Sequence, residues 1–251
     1  MAYRIPFNRP TKTDRDLANV QDALANGHLS GDGPFTKHCH RIFEETLGVP
    51  KVLLTTSCTH ALEMAAFLLD IKPGDEVIVP SFTFVSSVNA FVIRGARPVF
   101  CDVHAGSFCI DERQLERLIT PRTRAIVVVH YAGIGCQMDV IGEIAKSRGL
   151  TVIEDNAHGL YGKFRDQSLG TFAAMATLSF HETKNFSCGE GGALVLSNPS
   201  LIERAEVIRE KGTDRSKFHR GQVDKYSWVD LGSSYLPSEV LAALLAAQLD
   251  D

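Results

Sequence analysis

From Val52 onward, short β-branched apolar runs alternate with longer segments whose apolar residues recur at helical spacing. That alternation is the pattern of a mostly parallel sheet covered by helices. The runs at 52–55, 76–79, 98–102, 125–129, 151–155, 177–180 and 193–197 predict seven strands, and the intervening segments predict helices near 59–69, 85–94, 112–119, 140–148 and 199–211. Upstream, Leu17, Val20 and Leu24 recur at helical spacing and lead into a turn-rich stretch, Asn-Gly-His-Leu-Ser-Gly-Asp-Gly-Pro, at 26–34. This part reads as an N-terminal arm, followed by a helical segment over 35–47. No repeat, low-complexity tract or linker interrupts the chain, so residues 1–251 are expected to form the arm plus one large domain without an internal boundary. A last helical pattern over 238–249 stops two residues before the final residue with neither a glycine cap nor a polar tail, so the chain is expected to be a fragment.

Composition narrows the classes. Hydrophobic residues at 44% and charged residues at 22% exclude a disordered, collagenous or membrane-spanning chain. Twenty-six Lys and Arg against thirty Asp and Glu leave a net charge of −4, so no basic field exists to gather nucleic acid. The six cysteines are scattered without a CxxC pair, which argues against zinc and against a disulfide framework and fits reduced thiols in the cytoplasm. The N-terminus lacks an apolar leader core, and the longest apolar stretch, 240–247, is far short of the ~20 residues that span a bilayer, so neither export nor insertion is expected. His38, Cys39 and His40 fall on a predicted helix, where residues two apart do not face one another, so no metal is expected there.

Three places carry candidate chemistry. Strand 52–55 runs into Thr56-Ser57-Cys58-Thr59-His60 and then an apolar helix, which gathers hydroxyls and N–H groups at a helix start. This suits a phosphate, or it is ordinary N-capping by Ser57 or Thr56. Strand 151–155 ends in Glu154-Asp155-Asn156-Ala157-His158-Gly159, placing acids and a histidine where open α/β sheets hold ligands. One carboxylate there faces a bound cation, or it is a capping aspartate. Ser179-Phe180-His181-Glu182-Thr183-Lys184-Asn185 follows a strand and leads into the Gly189-Glu190-Gly191-Gly192 turn. Lys184 there either points inward as a nucleophile or is solvated. Together, a phosphate cup, an acid and a lysine at strand ends are the groups that pyridoxal 5′-phosphate requires.

The stretches Thr-Ser-Cys-Thr-His-Ala-Leu-Glu-Met-Ala, Pro-Gly-Asp-Glu-Val-Ile-Val-Pro-Ser-Phe-Thr-Phe, Val-His-Tyr-Ala-Gly, Glu-Asp-Asn-Ala-His-Gly and Ser-Phe-His-Glu-Thr-Lys-Asn resemble the DegT/StrS-type nucleotide-sugar aminotransferases of the fold-type-I pyridoxal-phosphate class. The resemblance implies the α/β large domain of that class, a mostly parallel seven-stranded sheet flanked by helices, with the small C-terminal domain of the relatives missing. It implies Lys184 as cofactor attachment point and proton shuttle, Asp155 as partner of the pyridine nitrogen, Phe84 stacked on the ring and His158 near the ring's 3-oxygen. Thr59, His60 and Ser179 match the phosphate contacts. Ser234, in Gly232-Ser-Ser-Tyr-Leu236, stands where many members carry an asparagine reaching the partner subunit's phosphate, so a homodimer with a shared site is implied. His130 is expected either to support the site from behind it or to be structural, and not to be catalytic.

The His-Glu-Thr-Lys-Asn and Gly-Ser-Ser-Tyr variants are most similar to members that use L-glutamate to aminate dTDP-4-dehydro-6-deoxy-D-glucose, giving the 4-amino-4,6-dideoxy-D-galactose nucleotide used in enterobacterial common antigen. A related sugar dehydratase has histidine at the lysine position, so Lys184 favours transamination. A catalytically inactive remnant that still binds the cofactor or dimerises is the alternative. A nicotinamide dehydrogenase is disfavoured, because no GxGxxG opens a helix and Gly133-Ile134-Gly135 lacks a third glycine at Met138.

Overall fold

The computed structural model describes residues 5–251. Two helices, α1 (Asp16–Ala25) and α2 (Pro34–Leu47), precede the sheet. Proline at the first position starts α2 and left-handed Gly48 ends it. The sheet strands are β1 (Lys51–Thr55), β2 (Glu76–Pro80), β3 (Arg97–Cys101), β4 (Thr123–Val129), β5 (Thr151–Asp155), β8 (Met175–Ser179) and β9 (Gly192–Leu196), ordered β3-β2-β4-β5-β8-β9-β1. Only β9 runs antiparallel to its neighbours. All seven expected strands form, each within two residues of its expected bounds.

Helices cover both faces, which is why the central strands are dry. In β1, Leu53 turns to the face under α3 (Cys58–Leu68), α4 (Ser86–Val92) and α7 (Ile202–Arg209), while Val52 and Leu54 turn to the face under α2 and α9 (Glu239–Leu249). In β4, Ala125 and Val127 face α3, whereas Ile126 and Val128 join a third cluster with α5 (Leu115–Leu118) and α6 (Met138–Arg148). Each fully buried Val, Ile or Leu contributes roughly 1.5–3 kcal/mol. The free edge of β1 is blunted by side chains. Val52 N donates to Glu44 Oε1 at 3.1 Å and Leu54 N to His40 Nε2 at 2.9 Å. Burial, followed by the charges of Arg209 and Lys51, holds His40 well below its ordinary 6.5, so its nitrogen is free to accept.

Several expected helices are shorter. The 85–94 segment forms α4 only over Ser86–Val92, and the 112–119 segment divides into a 3-10 turn, Glu112–Gln114, and α5, because the Asp111 carboxylate caps the Arg113 N–H. The 199–211 segment begins as a 3-10 turn capped by Asn198 and ends at Arg209, before the chain reverses through left-handed Lys211 and Gly212. A hairpin of β6 (Lys163–Phe164) and β7 (Gln167–Ser168) and the short α8 (Arg215–His219) have no counterpart in the sequence pattern, being too brief for a period to register. Among the described residues no helix is long and apolar enough to cross a membrane. The topology brings the carboxyl ends of β1, β2, β4, β5 and β8, and the start of β9, to one edge of the sheet.

Candidate active site

At that edge lies a cavity of about 700 Å³, within the usual small-molecule range of ~300–1,000 Å³. Lys184, Asp155, Thr59, Phe84, His158 and Ser179 all line it. They come from the ends of β2, β5 and β8, the start of α3 and the loop before β9, so residues up to 125 positions apart in sequence, from Thr59 to Lys184, converge there because of strand order.

Asp155 is buried at the last position of β5. Its Oδ2 accepts the Ser87 hydroxyl at 2.6 Å and its Oδ1 accepts Ala157 N at 3.2 Å. Lys184 is half-buried in the turn after β8, where its N–H donates to the His181 carbonyl at 2.9 Å. Burial lowers the proton affinity of its amine below the ordinary 10.5, against the opposing pull of Cys58 and Asp155. His158 is shifted down from 6.5 first by burial and then by Lys184, with Asp155 pulling the other way. The Ala132 N–H donates to His158 Nδ1 at 3.2 Å, so in the neutral ring the proton sits on Nε2. Ala132 takes a left-handed conformation (φ 53°) in making that bond. Tyr131 meets the His158 ring edge-on at 5.3 Å and joins Phe82 and Phe108 in an aromatic rim.

The helix start is capped and also faces the cavity. Ser57 caps α3, its Oγ accepting His60 N at 3.1 Å, and Ser57, Cys58 and Thr59 also line the cavity. The positive end of the α3 dipole is therefore directed at the space beside Lys184. Thr59 Oγ1 is 2.8 Å from Ser86 Oγ.

Two residues of the expected set do not line this cavity. The His60 side chain does not line the cavity, because its Nδ1 is hydrogen-bonded to Thr56 Oγ1 and its ring lies 5.1 Å from that of Tyr235. Its backbone N–H is taken up by the Ser57 cap. Ser234, expected to reach the partner subunit's phosphate and not this chain's own, lies outside this cavity in the segment that pairs back to Glu210. His38 and His40 point apart, one to Asp250 at 2.8 Å and the other to Leu54 N. Sequence reasoning missed Thr83, Ser87, Tyr131 and Glu190 in the lining. The hydroxyl-rich run Thr83-Phe84-Val85-Ser86-Ser87 at a strand end was the available signal for the first two.

The profile of the DegT/DnrJ/EryC1/StrS aminotransferase family matches residues 10–251. Among solved structures, the chain is similar to Spr1654 of Streptococcus pneumoniae, assigned as a sugar aminotransferase. Its apo form matches at 30% identity over 99% of this chain and 66% of that one, with a TM-score of 0.90. The PLP form of the same protein matches at 30% identity, 99% and 67% coverage and a TM-score of 0.89. The aminotransferase TlmJ of Streptoalloteichus hindustanus matches at 33% identity over 98% of this chain and 66% of its own, with a TM-score of 0.90. The chain thus spans about two thirds of the length of these structures.

Proposed function

The chain belongs to the DegT/DnrJ/EryC1/StrS aminotransferase family, and from that premise we propose that it is a pyridoxal-phosphate-dependent sugar aminotransferase. The carrying observation is that Lys184, Asp155 and the first turn of α3 face one cavity. The donor set fits the cofactor: a lysine with lowered proton affinity, a buried carboxylate, and a helix start with hydroxyls for a dianionic phosphate.

The cofactor, when bound, supplies an electron-accepting ring that stabilises the carbon losing its proton. Lys184 Nζ would be the attachment group and, once free, would be the base and acid that moves a proton between the substrate carbon and the cofactor carbon it had been bound to. Asp155 would hold the proton of the pyridine nitrogen. Ser57, Thr59, Ser179 and the α3 amides would hold the phosphate, and Phe84 and His158, on the same cavity wall, would pack against the ring.

The amino donor in this reading is L-glutamate, which leaves as 2-oxoglutarate. The acceptor is a nucleotide-linked keto-deoxysugar, dTDP-4-dehydro-6-deoxy-D-glucose, which becomes dTDP-4-amino-4,6-dideoxy-D-galactose for enterobacterial common antigen. The sugar class is supported by the likeness to Spr1654, and the particular sugar by the His-Glu-Thr-Lys-Asn and Gly-Ser-Ser-Tyr variants. The enzyme works as a homodimer in which Ser234 reaches the partner subunit's phosphate. Its free thiols suit the cytoplasm.

The test is a visible absorption spectrum with added pyridoxal 5′-phosphate, before and after L-glutamate. A band that needs Lys184 and that glutamate bleaches is expected. A spectrum identical to free cofactor would overturn the reading.

A further inference from the structure

Ser87 sits in the first turn of α4 and is buried, as is Asp155. Its Oγ lies 2.6 Å from Asp155 Oδ2 and 2.8 Å from Thr83 Oγ1. The direction of these two bonds follows from counting protons. A carboxylate only accepts, so Ser87 donates to Asp155. A hydroxyl has one proton, so the contact with Thr83 is one that Thr83 donates. The relay therefore runs from Thr83 through Ser87 to Asp155, each donation polarising the next.

It also crosses the sheet. Thr83 and Ser87 follow β2, Asp155 ends β5, and β4 lies between these strands. Thr83 is flanked by Phe82 and Phe84, so the relay ties the loop that carries Phe84 to the acid across the cavity. With Oδ2 held by Ser87 and Oδ1 by the Ala157 N–H, neither the plane nor the tilt of the carboxylate is free.

We propose that Ser87 is a positioning residue for Asp155, and that with Thr83 it orients the carboxylate so that the pyridine nitrogen of a bound cofactor keeps its proton. This rests on the cofactor reading given above. Nothing in the relay touches the reacting atoms; Ser87 acts through Asp155.

The experiment uses pyridoxal 5′-phosphate labelled with ¹⁵N in the ring, bound to the wild-type chain and to Ser87→Ala, Ser87→Thr and Thr83→Val. The readouts are the ring ¹⁵N chemical shift between about pH 6 and 9 and the thermal midpoint of each apoprotein. Wild type should hold a protonated shift throughout that range. Ser87→Ala should titrate within it, Ser87→Thr should restore the wild-type behaviour, and Thr83→Val should fall between. The first half-reaction with L-glutamate should slow about tenfold or more in Ser87→Ala at an unchanged KM.

A Ser87→Ala protein whose ¹⁵N shift follows wild type at every pH overturns the inference, as does a Ser87→Thr shift as displaced as that of alanine. Should Ser87→Ala not fold, Thr83→Val, altered at the cavity wall, decides by the same shift. Failure of the wild-type chain to take up the cofactor through Lys184 would instead overturn the cofactor reading itself.

Discussion

His130 Nε2 lies 2.9 Å from Glu154 Oε2, and both side chains are wholly buried. The Cys136 N–H donates to His130 Nδ1 at 3.2 Å, which puts the ring proton on Nε2 and makes the histidine the donor to Glu154. Glu154 also accepts Gly170 N, Phe172 N and Ala173 N at 2.7 to 2.8 Å. One carboxylate thus clasps the end of β4 to the segment entering β8, immediately beside Asp155. Truncation by His130→Ala should cost about 1–3 kcal/mol, the penalty for a buried acceptor losing a donor, and should weaken cofactor binding because Tyr131 and Asp155 flank the clasp. Urea unfolding and a cofactor titration check this. Wild-type values in both would show the clasp to be idle.

Lys184 gives a pH dependence with a definite sign. Burial disfavours its charged form, so the amine is free at a lower pH than the ordinary 10.5 would allow. The rate at which added pyridoxal 5′-phosphate develops a visible band should rise with pH and level off before 10.5. Asp155 opposes the shift, so Asp155→Asn should move the curve to still lower pH. A midpoint at or above 10.5, or a displacement upward in Asp155→Asn, would contradict the assignment. Lys184→Ala should show no band at any pH.

The seven strands were readable because buried parallel strands leave dense β-branched runs, as in Ile126, Val127, Val128 and Val129. Asp155 was readable as a strand end, and Lys184 by its place in the loop between two strands. The Ser87 relay was not, since a serine in the first turn of a helix is ordinary by spacing alone and only the strand order brings it to Asp155. The direction of the His60 ring was not readable either. The residue stands at a helix start, and its ring turns to Thr56 beside that same start and to Tyr235 from far along the chain. The aromatic rim of Phe82, Phe108 and Tyr131 joins three separate loops and leaves no local pattern.

Glu239 supplies a cap across the chain. It is buried at the start of α9, where its Oε1 accepts Gly33 N at 3.1 Å and Thr36 N at 3.0 Å, and its Oε2 accepts Phe35 N at 2.8 Å. These are the unpaired amides at the start of α2, which Gly33 cannot cap for lack of a side chain. Glu239→Ala should lower stability by about 2–3 kcal/mol, combining a lost cap with stranded donors. Glu239→Gln keeps one acceptor oxygen and should lose less. Denaturant midpoints for the two variants decide it, and equal losses would mean that side-chain volume, not acceptance, is what α2 needs.

Gly192 joins fold to site most directly. It opens β9 against the first turn of α3, where a Cβ would overlap Cys58 N and the Ser57 carbonyl carbon and lie 2.7 Å from Cys58 Cα. All three are backbone atoms, so no rotamer change relieves the clash, and α3 must shift. Overpacking of this kind costs about 1–3 kcal/mol. That same turn carries Ser57, Cys58 and Thr59 into the cavity, so Gly192→Ala should impair cofactor affinity beyond what its stability loss explains. Gly189→Ala is the control. It has nothing within 4 Å of its Cβ position, and its strain is confined to a positive φ of 90° in the neighbouring turn. Titration of pyridoxal 5′-phosphate into both variants, each held at a temperature where it is fully folded, separates the two effects. A Gly192→Ala protein that binds as tightly as Gly189→Ala would show that the α3 start is not where the phosphate sits.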